Sequence, residues 1–391
     1  MKKFVVSAPA KAILFGEHAV VYGYPAVATA IELRCYFTVT IKNEACEDII
    51  IDFKDLSENS IHIPIRMFHS VSNKESVLDC AWKLVSDLFD CAYHESLHDS
   101  PIIVSTCVMV YLFIRAMQLR SDEYSNQQCP LLNGNNTICV EIQSDMPRGC
   151  GLGSSGAFSV AATATILLLT NNYPLVQVWD IDKVQSKLVS SLARDAECII
   201  HGKSSGLDST ICTYGGTIVF RKDQLPLFQE INISNSDTIK LLIVNTNITR
   251  STSIAVRKVY DKWKEDKTCV NSIFKEIGII VDEVIDILNQ KHNWEISQSL
   301  TRHIVRNQHL LEELGVSHSI SNEIIEELKQ VGIPAKVTGA GFGGCVVGFI
   351  LGVEYDNSVL NDLINRWHKR SLWAKVTSIE ATGVKYSAHF L

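Results

Sequence analysis

Apolar and polar residues alternate in short runs through the first part of the chain. FVVSAP, AILFG, CYFTVTI and DIIIDF are β-branched or aromatic stretches separated by turn residues, the pattern of half-buried strands. Residues 55–76 are polar and read as an irregular connection. The period then lengthens. Val77–Phe89 and the apolar run Ile102–Ile114 (helix over 102–119) predict helices, followed by a polar loop over 120–136 and a strand over Thr137–Gln143. From Ile181, apolar residues recur at Val184, Leu188, Leu192 and Ala196, one helical face with Asp180 as its N-cap. Ser272–Gln290 repeats the pattern through Ile273, Ile277, Ile280, Val284 and Leu288, and 294–313 and 320–330 predict two more helices. Ala335–Val337 and Cys345–Leu351 read as strands around a glycine-rich turn. The expected fold class is α+β in two lobes, 1–225 and 226–391, joined near the polar, Pro-containing stretch 222–237.

Composition narrows the partners. The 391 residues are 46% hydrophobic and 20% charged, which is globular rather than disordered. A net charge of −7 leaves no basic footprint for nucleic acid or an anionic membrane, although a small phosphate site needs only a few residues. Ile102–Ile114 is short of the ~20 apolar residues of a spanning helix and contains Ser105 and Thr106, so a buried core helix is expected. Pro9 and Lys11 interrupt any signal-peptide core near the N-terminus. The twelve cysteines include no Cys-x-x-Cys pair, which favours reduced thiols and a cytoplasmic setting.

Candidate chemistry lies in a few segments. PRGCGLGSSGA at 147–157 follows a strand and precedes an apolar helical run. Gly149, Gly151 and Gly153 permit close backbone approach, and the amides at the helix start carry the positive end of its dipole. Ser154 and Ser155 add hydroxyls for phosphate oxygens or Mg²⁺. No Lys follows as in a Walker loop, and the spacing is not the dinucleotide fingerprint. A structural turn would look similar, but paired serines at a strand–helix junction favour an anion site. In ECIIHGKSSGLD, Glu197 and Asp208 bracket a Gly/Ser turn; one carboxylate could hold a cation and the other take a proton from an alcohol. Taken alone, they also suit a solvated helical Glu and an Asx cap. Lys11 interrupts an apolar strand, either facing solvent or entering a site where it offsets phosphoryl charge. KVTGAGFGGC, with Gly339, Gly341, Gly343 and Gly344, is a glycine-rich hairpin or a second ligand loop.

Taken in order, APAKAILFGEHAVVYG, PRGCGLGSSGA, ECIIHGKSSGLD, NTNITRST at 245–252 and KVTGAGFGGC resemble the superfamily of galactokinase, homoserine kinase, mevalonate kinase and phosphomevalonate kinase. The GEHAVVYG run makes the resemblance most specific to mevalonate kinases. The resemblance implies two α/β lobes around a cleft, ATP and mevalonate as substrates, Mg²⁺ as cofactor, and often a homodimer. It implies Asp208 as the catalytic base and Lys11 against that aspartate and the γ-phosphate. It places ATP on Gly149, Cys150, Gly151, Leu152, Gly153, Ser154 and Ser155, with Ser144 just upstream. Ser155 and Glu197 match Mg²⁺ ligands; Glu17, His18 and Thr252 match positions near the substrate; Gly339, Ala340, Gly341, Gly343 and Gly344 match a third loop beside the phosphate loop.

The chain also departs from the family pattern. Phe342 stands where Gly is usual, with strain expected if φ is positive. Ser204 stands for Pro, which would loosen the loop carrying Asp208. Cys150 and Gly156 stand for Ala, with mild effects expected. Other readings on the same fold are a kinase of a related alcohol and a non-catalytic ligand sensor. Retention of Lys11, Ser155, Glu197 and Asp208 together argues against the sensor.

Overall fold

A computed structural model describes residues 2–69, 75–91, 99–124, 135–170, 183–221, 228–234, 236–248, 252–291, 293–352 and 357–389. In chain order the first half holds β1 (Lys2–Phe15), β2 (Ala26–Lys42), β3 (Asp48–Phe53), β4 (Ile61–Pro64), α1 (Arg66–His69), α2 (Val77–Leu88), α3 (Pro101–Tyr124), β5 (Thr137–Ser144), α4 (Ser154–Thr170), α5 (Lys183–His201), α6 (Leu207–Tyr214), β6 (Thr217–Phe220) and β7 (Phe228–Ile231). The second half holds β8 (Ile239–Asn245), α7 (Thr252–Glu265), α8 (Lys267–Leu288), α9 (Trp294–Glu313), α10 (Ser319–Gln330), β9 (Ala335–Val337), β10 (Cys345–Leu351), α11 (Asn357–Lys369), β11 (Trp373–Ser378) and β12 (Lys385–His389).

The alternating residues of β1 and β2 pair as a long antiparallel hairpin, and β5 continues the sheet beyond β2. The first sheet runs β12-β1-β2-β5-β3-β4, with β6 and β7 added along the other end of β2. Helices α2 to α6 pack on and around it, α4 being buried on nearly every side. The second sheet runs β11-β8-β10-β9, all antiparallel, with α8 and α9 packed together beside it. One continuous apolar core passes through both sheets.

The lobe division at 225/226 is crossed by later strands. β7 pairs with β6, and β12 pairs with β1, so both belong to the first sheet. Buried Arg34 on β2 fastens that return: its guanidinium donates to the Ser7, Thr382 and Gly383 carbonyls and to Ser7 Oγ at 2.7–2.9 Å. Such a long-range closure leaves no periodic trace in the chain. The 55–76 stretch is not wholly irregular either, since β4 pairs with β3 and α1 follows. α8 begins at Lys267, before the expected Ser272, because Asp266 caps it by accepting from the Cys269 amide at 2.9 Å. The Asp180 cap and most of the 120–136 loop lie outside the described residues.

Helix α3 is longer than expected. Pro101–Arg120 is long and apolar enough to cross a membrane by length and composition, yet more than half of it is buried inside the fold. Its Cys107, Val108, Met109, Leu112 and Phe113 lie in the core, and it packs against α2, α4 and α5. The cysteines follow the same logic: Cys35, Cys107 and Cys212 are buried thiols, and burial pushes Cys35 up to about 12. That keeps it protonated and inert.

Candidate active site

The β1–β2 register shifts between Pro9 and Ala10, and Lys11 follows directly. A proline donates no ladder bond, so a bulge is where a strand tolerates it. Beyond the reach of β12 the edge of β1 is covered by the first glycine-rich loop, whose Leu152 carbonyl accepts from the Lys11 amide at 2.9 Å. Lys11 is thereby buried to 7% exposure, and its Nζ lies 3.1 Å from Asp208 Oδ1. Asp208 sits in the first turn of α6 and keeps 26% of its side chain exposed.

Two glycines set how closely these parts approach. Gly153 has φ 69°, and a Cβ there would fall 2.8 Å from Lys11 Cγ and 3.3 Å from Asp208 Oδ2. The loop therefore lies directly against the lysine–aspartate pair. A Cβ on Gly156 would fall 2.8 Å from Asp208 Cβ and 3.3 Å from Glu197 Oε1. Gly156 is thus the contact point of α4, α5 and α6, and the expectation that this departure is mild is corrected. The family's alanine cannot be restored without displacing Asp208.

α4 opens at Ser154, with the Ala157 amide bonded to the Gly153 carbonyl at 2.9 Å. Earlier amides of that turn have no intrahelical acceptor and form an anion-binding end. The side chains of Cys150 and Leu152 are buried in the core, so the loop offers backbone there. Ser144 ends β5; its amide donates to Asp55 Oδ2 at 2.8 Å and its hydroxyl accepts from the Met146 amide at 3.1 Å, shaping the turn into the loop.

Glu197 is 3% exposed in the last turns of α5. Burial, and then the nearby Asp208 charge, push its carboxyl up to about 7, against hydrogen bonds from Ser204 and Ser209 and the Lys11 charge. Ser204 Oγ donates to Glu197 Oε2 at 3.0 Å and accepts from the Gly206 amide at 3.1 Å. The expected loosening is not what Ser204 does: its hydroxyl stitches the loop. His201 Nε2 lies 2.9 Å from Ser155 Oγ, and desolvation lowers the imidazole against the pull of Asp208. The sequence marks Ser204 only as a departure from Pro and gives His201 no role. The signal for His201 was its place four residues after Glu197, on the same helix face. Ser155, Glu197 and Asp208 supply oxygen donors that suit Mg²⁺. The described residues hold no group of three or more His, Cys, Asp or Glu fit for a metal, so a cation held here would need oxygens from a bound phosphate as well.

Glu17 and His18 lie just beyond the end of β1, against the strand and loop that carry the second glycine run. Glu17 Oε1 accepts from Lys336 Nζ, both side chains being fully buried, and Asn307 Nδ2 reaches Glu17 Oε2 at 3.4 Å. Lys336 also donates to the Val337 carbonyl at 2.9 Å; burial lowers its ammonium, and Glu17 opposes that. His18, with φ 60°, has Nε2 2.9 Å from the Ala340 carbonyl, and Thr338 Oγ1 donates to the Ile13 carbonyl at 2.9 Å. These contacts fasten the third loop to the end of β1. Lys336 went unassigned in the sequence because strand position alone does not reveal a buried charge.

Phe342 in that loop has φ 56°. A bulky residue in the left-handed region costs about 1–2 kcal/mol. Its amide donates to the Val316 carbonyl at 2.7 Å, and Lys258 Nζ sits 4.5 Å from its ring centroid. Together these offset a cost of that size. Thr252 is the first residue of α7, while 249–251 of the NTNITRST segment lie outside the described residues.

Residues 112–216 match the family model for the GHMP kinases N terminal domain, and 295–369 match GHMP kinases C terminal. The chain is 30% identical over 354 residues to mevalonate kinase of Schizosaccharomyces pombe, covering 88% of this chain and 82% of the relative. It is 29% identical to mevalonate kinase of Arabidopsis thaliana, covering 87% and 89%. The crystal structure of Methanococcus jannaschii mevalonate kinase superposes with a TM-score of 0.67 at 22% identity, covering 96% of this chain and 98% of that one. With 30% identity across most of both chains and the two GHMP kinase domain models matched in order, the chain belongs to the mevalonate kinase family.

Proposed function

We propose that this protein transfers the γ-phosphoryl group of ATP to the 5-hydroxyl of mevalonate, giving 5-phosphomevalonate and ADP for isoprenoid precursor synthesis. The observation that carries this is the Lys11–Asp208 pair, 3.1 Å apart and packed against the phosphate loop at Gly153. An alcohol lying there meets a carboxylate that accepts its proton, and the phosphoryl group meets a lysine and helix amides. Catalysis is then mostly positioning and electrostatics. Amides at the start of α4 bind the triphosphate, Asp208 orients the hydroxyl and takes its proton, and Lys11 offsets charge on the transferring oxygens. Ser155 and Glu197 would hold Mg²⁺, which when bound neutralises charge on the phosphate oxygens. The same reading carries a cytoplasmic setting and a homodimer.

Release of ADP with mevalonate, phosphomevalonate, homoserine and galactose as acceptors tests it. Turnover with mevalonate alone is expected. Turnover with another acceptor, or binding of ATP and mevalonate without turnover, would overturn it.

The metal assignment has a pH signature. A cation requires ionised Glu197, whose carboxyl stands near 7 in the free protein. Mg²⁺ affinity, measured by calorimetry with ADP present, is expected to fall about tenfold per unit below pH 7 and to level off above it. Glu197→Gln should weaken binding and flatten that dependence; an unchanged metal titration would remove Glu197 from the ligand set. For metal-free stability the sign is opposite to that of an ordinary paired carboxylate. The raised group stabilises the fold below its unfolded value near 4.5, and the contribution is lost as pH rises through 7.

A further inference from the structure

We propose that Ser204 is a positioning residue that orients Glu197 for the metal–nucleotide complex and sets its spacing from Asp208. The inference rests on Glu197 being a metal ligand. A monodentate carboxylate ligand needs one oxygen held and the other presented. Ser204 Oγ holds Oε2 at 3.0 Å. The other oxygen, Oε1, faces the start of α4, where it would lie 3.3 Å from a Cβ on Gly156, next to Ser155.

The same hydroxyl accepts from the Gly206 amide at 3.1 Å. Gly206 is the N-cap of α6, left-handed at φ 80° and without a side-chain cap of its own, and Asp208 is in the first turn beyond it. One hydroxyl therefore joins the end of the helix bearing Glu197 to the start of the helix bearing Asp208. Ser205 Oγ accepts from the Leu207 amide at 3.3 Å, and Ser209 Oγ, which also faces Glu197, lies 3.2 Å from the Gly206 carbonyl, so the turn is held from both sides. Proline, the residue usual at position 204 in the resemblance, makes neither of the Ser204 bonds. Gly156, the other departure here, admits the close approach of Asp208 that this spacing uses. Groups that orient metal ligands typically change metal affinity 10–100-fold when removed.

The test is Mn²⁺ binding in the presence of ADP, followed by electron paramagnetic resonance, beside the Mg²⁺ concentration for half-maximal turnover. Ser204→Ala and Ser204→Pro should each weaken both about tenfold while the KM for mevalonate stays within twofold; Ser204→Thr, which keeps the hydroxyl, should stay near the parent. Should the alanine variant fold poorly, the proline variant carries the same test with a stiffer loop. Affinities within twofold of the parent in the variants lacking the hydroxyl would overturn the proposal, as would an equal loss in Ser204→Thr. Glu197→Gln separates the two assignments. If it weakens Mn²⁺ binding and Ser204→Ala does not, the positioning role alone falls. If Glu197→Gln itself changes nothing, the ligand assignment falls and the positioning role with it.

Discussion

Asp208→Ala lowers kcat by about 10²–10⁴-fold while ATP affinity stays close to that of the parent. That range is what a positioned proton acceptor contributes. Asp208 is the carboxylate of the pair that substrate can reach: its side chain is 26% exposed, whereas Glu197 is 3% exposed and held by Ser204. The amides proposed to bind the nucleotide lie at the start of α4, so truncating Asp208 leaves them in place. Lys11 loses its partner, but its Cγ remains packed at Gly153, where the loop lies against it. Asp208→Asn keeps the shape and removes the basicity, so it should lose nearly as much as Asp208→Ala. Single-turnover kinetics with saturating ATP measure the effect. A loss below tenfold would mean that proton acceptance at Asp208 does not limit the chemistry.

Breaking the buried pair between Glu17 and Lys336 is the larger test of the fold. Lys336→Met leaves a fully buried carboxylate without its countercharge, and Glu17→Gln leaves a buried ammonium. Removing one partner of such a pair costs about 3–5 kcal/mol, because the survivor is an uncompensated charge in a low dielectric. The double variant removes both charges and should recover most of that loss. Urea denaturation gives the comparison. Single variants as stable as the parent, or a double variant worse than the sum of the singles, would sink the account. The single variants should also raise the KM for both substrates, since the pair, with His18 on the Ala340 carbonyl and Thr338 on the Ile13 carbonyl, holds the third loop beside the end of β1.

Much of the fold was legible because its elements are locally consistent. Periodicity gave α9 and α10 to within a residue, and β9 and β10 at the same bounds. The strand–glycine loop–helix arrangement at 147–157 was legible for the same reason: glycines, serines and the apolar run of α4 agree on one local structure. What periodicity missed was long-range. β12 returning to β1, β7 adding to β6 and the Arg34 bonds to residues 382–383 join positions hundreds of residues apart, or strands too short to mark themselves.

The site divides along the same line. By itself the sequence determined which groups are present: Lys11, Ser155, Glu197, Asp208 and the glycine loops, in an order that resembles one kinase family. Residue type and local spacing are enough to state that much. Only the tertiary structure decided what each group does. It brought Lys11 to Asp208 from nearly two hundred positions away in the chain, and it buried Glu17 and His18 in fastening the third loop. It also turned Ser204 from a loosened proline site into a bridge between the helices that carry Glu197 and Asp208, and made Gly156 a contact point with no room for a methyl group. The physical reason is that burial, charge pairing and close approach are set by neighbours distant in the chain. Those interactions decide whether a carboxylate accepts a proton, holds a cation or holds the fold together.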